Sequence, residues 1–284
     1  MRLADTAPDA VLPGEGAALL GEREFTLACR LIGEYAGIKL GPHKRFMVHN
    51  RLLRRLRARG LQSFADYLDL VQAEPAGERE AFVNALTTNL TAFFREPHHF
   101  ELLAARARQH RAREGGRPLR VWCSACSTGE EAWSIAMTLR EAACHAEVLA
   151  TDIDTEVLDT ASAGLYALER TSPIGAERLR AHWLRGTGAN AGWASVRSEL
   201  RSMVRFMPLN LQSPAWPAME PFDVVFCRNV VIYFDREAQK KLLLRFAQVL
   251  RPGALLIVGH AESFPAGHAG FRACGRTAYE YVGS

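Results

Sequence analysis

The chain has 284 residues, 48% of them hydrophobic and 23% charged, with a formal net charge of +4. That length suits two domains and a sizeable core, and the balance is that of a soluble globular protein, which excludes disordered, collagen-like and disulfide-dense classes. No run approaches the roughly 18 apolar residues of a membrane span, and the first twenty residues hold one arginine and no continuous apolar stretch, which speaks against a secretory leader and for a cytoplasmic address.

Residues 1 to about 20 are rich in Ala, Pro, Gly and Asp and read as a loose tail. From 21 to 86 the periodicity is helical. Phe25, Leu27, Leu31, Ile32 and Tyr35 suit one helix, and Phe64, Tyr67, Leu68 and Val71 suit another. Between them, Lys39 to Arg59 carries eight Lys or Arg residues and no acid. At 3.6 residues per turn, Val48, Leu52, Leu53 and Leu56 share one face, while Lys44, Arg51, Arg54 and Arg55 fall on the other. Such a stripe is either a solvated face or a dock for nucleic acid or an acidic protein patch, and charge alone does not choose.

Residues 87–100 form a linker. In Asn89-Leu90-Thr91-Ala92-Phe93-Phe94-Arg95 the aromatics are expected to pack between the domains, and Arg95 could reach a carboxylate through its planar fork. His98-His99 has no local ligand partner and reads as structural, and the stretch Arg106 to Arg120 reads as a solvated connector.

From about Leu119 strands and helices alternate. Strands are expected at Leu119–Ala125, Glu147–Ile153, Val204–Leu209, Phe222–Cys227 and Ala254–Gly259, apolar enough for a parallel sheet covered on both faces. Helices are expected at Glu130–Ala143, Asp154–Ala163 and Arg236–Leu250, the last capped by Asp235 and stopped at Arg251-Pro252-Gly253. Around residues 180–203 the alternation breaks: Gly186-Thr187-Gly188, Gly192, Trp193, Val196 and Leu200 suggest a small antiparallel excursion that could take a peptide along its edge or be an ordinary hairpin. Phe271–Val282 could supply antiparallel edge strands.

The chemistry concentrates in Val121-Trp122-Cys123-Ser124-Ala125-Cys126-Ser127-Thr128-Gly129-Glu130-Glu131 and Thr151-Asp152-Ile153-Asp154. These read as strand, tight turn and helix, then a second strand ending on a carboxylate placed for ribose hydroxyls. The three-glycine pyrophosphate fingerprint is missing and the turn is acidic. The ligand so described is a nucleoside without phosphates, plausibly cationic, as S-adenosylmethionine is. Thr128 with Glu131 and Ser127 with Glu130 also fit capping boxes, and Asp154 fits an N-cap. One of the two glutamates could face a cationic ligand group. Phe226-Cys227-Arg228-Asn229-Val230-Val231-Ile232-Tyr233-Phe234 sets polar side chains at a buried strand end, where they need partners. Cys123 and Cys126 lack the further ligands a zinc site requires, and the six cysteines read as free thiols with no metal role.

In order, these motifs make the chain similar to the chemotaxis receptor glutamate methyltransferases, the CheR family. The resemblance runs through His43-Lys44-Arg45, Asn50-Arg51-Leu52-Leu53-Arg54-Arg55-Leu56-Arg57, Thr87 to Glu96, Ser127 to Glu131, Asp152-Ile153-Asp154 and Cys227-Arg228-Asn229 with Ile232-Tyr233-Phe234. It implies a Rossmann-like class I α/β methyltransferase domain over 101–284, with the antiparallel insertion, behind an all-α N-terminal domain. It implies methyl transfer from S-adenosyl-L-methionine to receptor glutamates, leaving S-adenosyl-L-homocysteine. Asn89, Thr91, Arg95, Glu131, Asp152, Asn210, Leu211, Arg228 and Asn229 would then line the cofactor site, and Arg95 and Tyr233 would position the reacting groups. Lys44, Arg51, Arg54 and Arg55 would meet the acidic cytoplasmic helices of methyl-accepting receptors. Some members also hold a receptor C-terminal peptide on the insertion. The protein would be recruited to membrane receptor arrays without entering the bilayer, and nucleic acid is not expected as a partner. A dinucleotide oxidoreductase, a nucleic-acid methyltransferase and a non-catalytic adaptor are the competing readings. The first is disfavoured by the missing glycines and the second by the lack of an acceptor motif for a flipped base.

Overall fold

The computed structural model describes residues 18–73, 77–113, 116–264 and 270–283, so the tail expected up to about residue 20 lies almost wholly outside the described residues. The chain forms two compact units, one of residues up to Leu31 with Gly41–Leu86, the other of Ile32–Leu40 with everything from Thr87 onward.

The first unit is helical. It holds most of α1 (Glu22–Ala36), then α2 (Arg45–Ala58), α3 (Phe64–Ala73) and α4 (Gly77–Leu86). Each turns an apolar stripe inward: Phe25, Ala28 and Leu31 from α1, Val48, Leu52 and Leu56 from α2, Tyr67, Leu68 and Val71 from α3, Phe82 and Leu86 from α4. Ser63 starts α3, its hydroxyl accepting from the N–H groups of Ala65 and Asp66.

The basic stretch is less bare than its sequence suggests. Glu78 on α4 is fully buried and accepts from Arg55 Nε and Nη2 at 3.1 and 2.9 Å, from Arg59, and from the Tyr67 hydroxyl at 2.9 Å. Burial would raise the Glu78 carboxyl, but these bonds outweigh it and hold it below the usual range. Arg45 pairs with Glu22 at 2.5 Å. The compensating acids were invisible because they come from other helices, 19 to 23 residues away in sequence. Arg55 is therefore engaged inside the unit, whereas Lys44, Arg54 and Arg57 are exposed.

The second unit opens with α5 (His98–Arg113), followed by β1 (Leu119–Cys123), α6 (Glu130–Glu141), β2 (Ala146–Asp152) and α7 (Thr155–Ala163). Next come β3 (Leu165–Ala167), α8 (Ala176–His182), β4 (Trp183–Arg185), β5 (Trp193–Val196), α9 (Ser198–Arg201) and β6 (Val204–Pro208). The chain finishes with β7 (Phe222–Cys227), α10 (Arg236–Val249), β8 (Leu250–Val258), β9 (Phe271–Ala273) and β10 (Ala278–Tyr281). The main sheet runs β6-β2-β1-β7-β8-β10-β9, parallel through β8 and antiparallel at its last two strands.

Strand alternation sends successive side chains to opposite layers. Val121, Cys123, Val224 and Phe226 pack with Phe100, Leu103, Ile135, Leu139 and Leu158 of α5, α6 and α7. Trp122, Val225 and Leu256 pack with Leu242, Leu243 and Phe246 of α10. Helix α5 is thus core-bearing, and beyond it Arg117 makes a two-pronged pair with buried Asp223 at 2.8 and 2.9 Å. The connector expected to be merely solvated is anchored at both ends. Helix α10 stops one residue early because the chain enters β8 at Leu250, with Gly253 at φ +79 beside an irregularity in the β7–β8 register.

The antiparallel excursion is a three-stranded sheet in the order β3-β5-β4. Its strand β3 lies upstream of the stretch where the excursion is expected, since three residues give too short an alternation to read. Phe93 packs inside this unit and not between domains: its ring meets Tyr166 at 5.2 Å and Trp183 at 5.4 Å, both edge-on.

Candidate functional site

Strand order fixes where a ligand belongs. From β1 the chain moves outward through β2 to β6, then returns to lay β7 on the other side of β1. The turns leaving the carboxyl ends of β1 and β7 therefore part in opposite directions and leave a crevice between them, the usual ligand position in an open α/β sheet. Residues 124–129 after β1, Asp152 closing β2, Leu209–Leu211 after β6, 228–233 after β7 and 259–262 after β8 all stand at that edge.

The backbone there is constrained. Ser127 and Asn229 take positive φ, +49 and +58, which non-glycine residues rarely adopt. Gly129 sits at φ +96 as the residue capping α6, and a Cβ there would lie 2.7 Å from the Tyr166 hydroxyl and 2.8 Å from Ala161 Cβ. The capping boxes expected of Ser127 and Thr128 do not form: the left-handed glycine takes the cap position and no side chain caps the helix. Thr128 instead donates to Glu130 at 2.7 Å. Asp154 does cap α7, accepting from the N–H groups of Glu156 and Val157.

Asp152 is buried, with Oδ2 accepting from Ser127 N at 2.8 Å and Oδ1 from Asp154 N at 3.0 Å. Burial pushes its carboxyl up to about 6, against the pull of those backbone bonds. Among the described residues no cation pairs with it. Two oxygens with about four acceptor directions, two of them used, suit the paired hydroxyls of a ribose.

Glu130 and Glu131 are both buried and both engaged. Arg170 pairs with Glu130. Glu131 accepts from Arg228 Nη1 at 2.6 Å and from the Cys123 thiol at 3.1 Å. Arg228 also donates through Nη2 to the Arg95 carbonyl at 2.6 Å and lies 3.4 Å from Glu96 Oε2. The polar strand end that called for a partner has thus found one inside the protein, so neither glutamate stands free for a cation.

The linker residues are drawn into the same region. Asn89 donates to Asp154 Oδ2 at 2.8 Å, and its carbonyl accepts from the Ser127 hydroxyl. Arg95 Nη1 donates to the Leu90 carbonyl at 3.0 Å, and Thr91 and Tyr233 are half-buried. Asn210 donates to the Tyr35 carbonyl at 2.7 Å and accepts from Gln212 N at 2.8 Å, beside buried Leu211.

Two acids were missed. Glu262, beyond β8, accepts from four backbone N–H groups, three in the turn after β7 and one at Gly259. The signal that found Asp152, a carboxylate just past an apolar strand, could have found it. Glu96, at φ +59, brings a carboxylate to His99 of the pair read as lacking a partner, 3.5 Å from its Nδ1, and also to His260, 2.9 Å from its Nδ1. Glu96, His98 and His99 place one ligand atom each within 4.8 Å of one another, but the Arg228 guanidinium already supplies the countercharge on Glu96. His99 is tied to the Thr277 hydroxyl at 2.6 Å, and burial beside Arg228 lowers its ring to about 4, keeping it neutral.

The cysteines are free thiols, and burial drives Cys123, Cys126 and Cys227 well above the ordinary thiol range. They are unsuited to nucleophilic or redox work near neutral pH.

The residues present therefore suit S-adenosylmethionine: a hydroxyl acceptor at β2, a crevice edged by acids, and no glycine-rich pyrophosphate cradle. The matching family models and sequence relatives agree. The family model described as "CheR methyltransferase, SAM binding domain" matches residues 89–279, and "CheR methyltransferase, all-alpha domain" matches residues 23–87. A chemotaxis protein methyltransferase of Klebsiella aerogenes is 48% identical over 265 residues, covering 92% of this chain and 90% of its own. The Escherichia coli protein of the same name is 47% identical, covering 92% and 91%. An rRNA methyltransferase structure from Streptomyces viridochromogenes has a TM-score of 0.42 at 16% identity, over 69% of this chain and 87% of its own.

Proposed function

This chain belongs to the CheR methyltransferase family, and from that premise we propose that it esterifies glutamate side chains of chemoreceptors in chemotactic adaptation. It is an S-adenosylmethionine-dependent methyltransferase. The observation that supports the cofactor part of this reading is the β1–β7 crevice with buried Asp152 at its edge, paired with no cation among the described residues.

When bound, S-adenosylmethionine would supply an electrophilic sulfonium methyl for transfer to a substrate carboxylate oxygen, the carbon–sulfur electron pair staying on sulfur as S-adenosylhomocysteine. No proton moves, so no general base is needed. What the chain contributes is placement, which can lower a barrier by up to roughly 7–11 kcal/mol in well-oriented systems. Asp152 would accept hydrogen bonds from the ribose hydroxyls. Asn89, Thr91, Glu131, Asn210, Leu211, Arg228 and Asn229 line the pocket, with Glu131 and Arg228 acting as a mutually neutralised wall and Asn89 and Asn210 through groups left after their own internal bonds. Arg95 draws the substrate carboxylate in and keeps it ionised, and Tyr233 orients it.

On the helical unit, exposed Lys44 and Arg54 with half-buried Arg51 form the face for acidic receptor helices. Arg55 does not belong to that set. The three-stranded sheet, with edges at β3 and β4, is the place for a receptor C-terminal peptide. No described helix is long and apolar enough to cross a membrane; the chemotaxis methyltransferase relatives support a cytoplasmic enzyme recruited to receptor arrays.

The test is transfer of labelled methyl from S-adenosylmethionine to chemoreceptor-containing membranes. Label released by mild base marks an ester. Base-stable label, or none, would contradict the assignment.

A further inference from the structure

Glu262 is 6% exposed, and among the described residues no lysine, arginine or histidine pairs with it. Its whole hydrogen-bonding capacity goes to backbone. Oε2 accepts from Asn229 N and Gly259 N, both at 2.7 Å; Oε1 accepts from Val231 N at 2.7 Å and Ile232 N at 3.3 Å. A buried carboxylate without a countercharge is costly unless fixed donors surround it, and four converging N–H groups are such a set.

The segment it holds is the one leaving β7. Asn229 stands at φ +58, an unfavourable conformation for a residue with a Cβ, and the short turn Val231–Tyr233 begins two residues on, after Val230. Three of the four bonds run into residues 229–232, so the carboxylate over-determines the strained turn from the neighbouring strand β8. Gly259 fits the same purpose: a Cβ there would lie 2.8 Å from Glu262 Oε2 and 2.6 Å from Asn229 Nδ2. Space at 259 is kept for the carboxylate and the asparagine to meet.

We infer that Glu262 is a positioning residue for methyl transfer, setting Asn229 and Tyr233 at the crevice through the backbone of the turn between them. This rests on the methyltransferase reading given above. With its carboxylate given over to main-chain N–H groups, Glu262 acts through the backbone it holds. Glutamine cannot replace it, because one of the two oxygens becomes an NH2 group facing N–H donors.

The experiment compares Glu262→Gln, Glu262→Asp, Asn229→Ala and the Glu262→Gln/Asn229→Ala double variant by S-adenosylhomocysteine calorimetry and methyl-transfer kinetics on receptor membranes. In Glu262→Gln we expect about one site per chain retained, affinity and kcat each down at least about tenfold, and receptor KM unchanged. Glu262→Asp, which keeps the charge on a shorter reach, should regain part of kcat. The double variant should lose less than the sum of the single losses, the sign of two residues acting through one element. Wild-type affinity and kcat in Glu262→Gln would overturn the inference. So would a loss seen only as fewer binding sites with normal affinity, which is what a purely structural role produces, or additive losses in the double variant. Failure of the wild-type chain to bind S-adenosylhomocysteine would instead defeat the cofactor assignment beneath it.

Discussion

Arg228 and Glu131 meet at 2.6 Å with their side chains 1% and 11% exposed, joining the end of β7 to the first turn of α6 across the crevice. Removing one member of a buried pair leaves the other uncompensated, which typically costs about 3–5 kcal/mol. Arg228→Ala should accordingly lose stability of that order in urea unfolding, and Arg228→Met/Glu131→Leu should recover much of it while abolishing S-adenosylhomocysteine binding. A single variant as stable as the parent would show that the pair is not buried in solution.

The Asp152 carboxyl, pushed up to about 6 by burial, gives a signed pH dependence. An unfolded aspartate releases its proton near pH 4, so between about 4 and 6 the native state holds a proton the unfolded state has lost, and stability falls as pH rises through that window. Cofactor binding runs the other way, because ribose hydroxyls need the ionised acceptor. S-adenosylhomocysteine affinity should climb by up to about tenfold per pH unit below 6 and level off above it. Calorimetry across this range should show the climb in the parent and a flat profile in Asp152→Asn.

Charge reversal should separate docking from folding on the helical unit. Lys44→Glu/Arg54→Glu alters exposed groups and should raise receptor KM, more so at low salt, with S-adenosylhomocysteine affinity unchanged. Arg55→Glu would face buried Glu78 and should lower the urea midpoint sharply. Equal effects of both reversals on unfolding would refute the division.

Arg95→Ala should reduce kcat by at least about tenfold with cofactor affinity changed much less, since its guanidinium is assigned to the substrate carboxylate. Steady-state kinetics at saturating S-adenosylmethionine measure this. Near-normal turnover would remove Arg95 from the site.

Gly129→Ala combines a left-handed backbone with a Cβ pressed on Tyr166 and Ala161. The strain alone should cost about 1–3 kcal/mol, seen as a lowered thermal midpoint and weakened cofactor binding together. Unchanged behaviour in both would mean the turn relaxes freely.

The main sheet was legible because its strands are short apolar runs bounded by turn residues, and Phe222–Cys227 is found with the same limits as expected. Asp235 and Asp154 were readable as caps because capping is local. What escaped depends on distant sequence: Glu78 pairing with Arg55 and Arg59, Arg228 closing on Glu131, and Glu262 gripping the β7 turn. Strand β3 was hidden for a different reason, since three residues cannot display a period. The turn at Ser127 to Glu131 misled at close range, where two apparent capping boxes gave way to a glycine able to take the left-handed position.

Tyr166, on β3 of the small sheet, donates its hydroxyl to the Thr128 carbonyl at 2.6 Å, one residue from Ser127, whose N–H holds Asp152. A tilt of that sheet would pull, through this bond, on the loop at the nucleoside end of the crevice. Were a tail peptide to shift that sheet on binding, its occupancy and the cofactor's would be linked, and the linkage would be mutual: whatever the peptide did to cofactor retention, a loaded cofactor would do in equal measure to the peptide's grip.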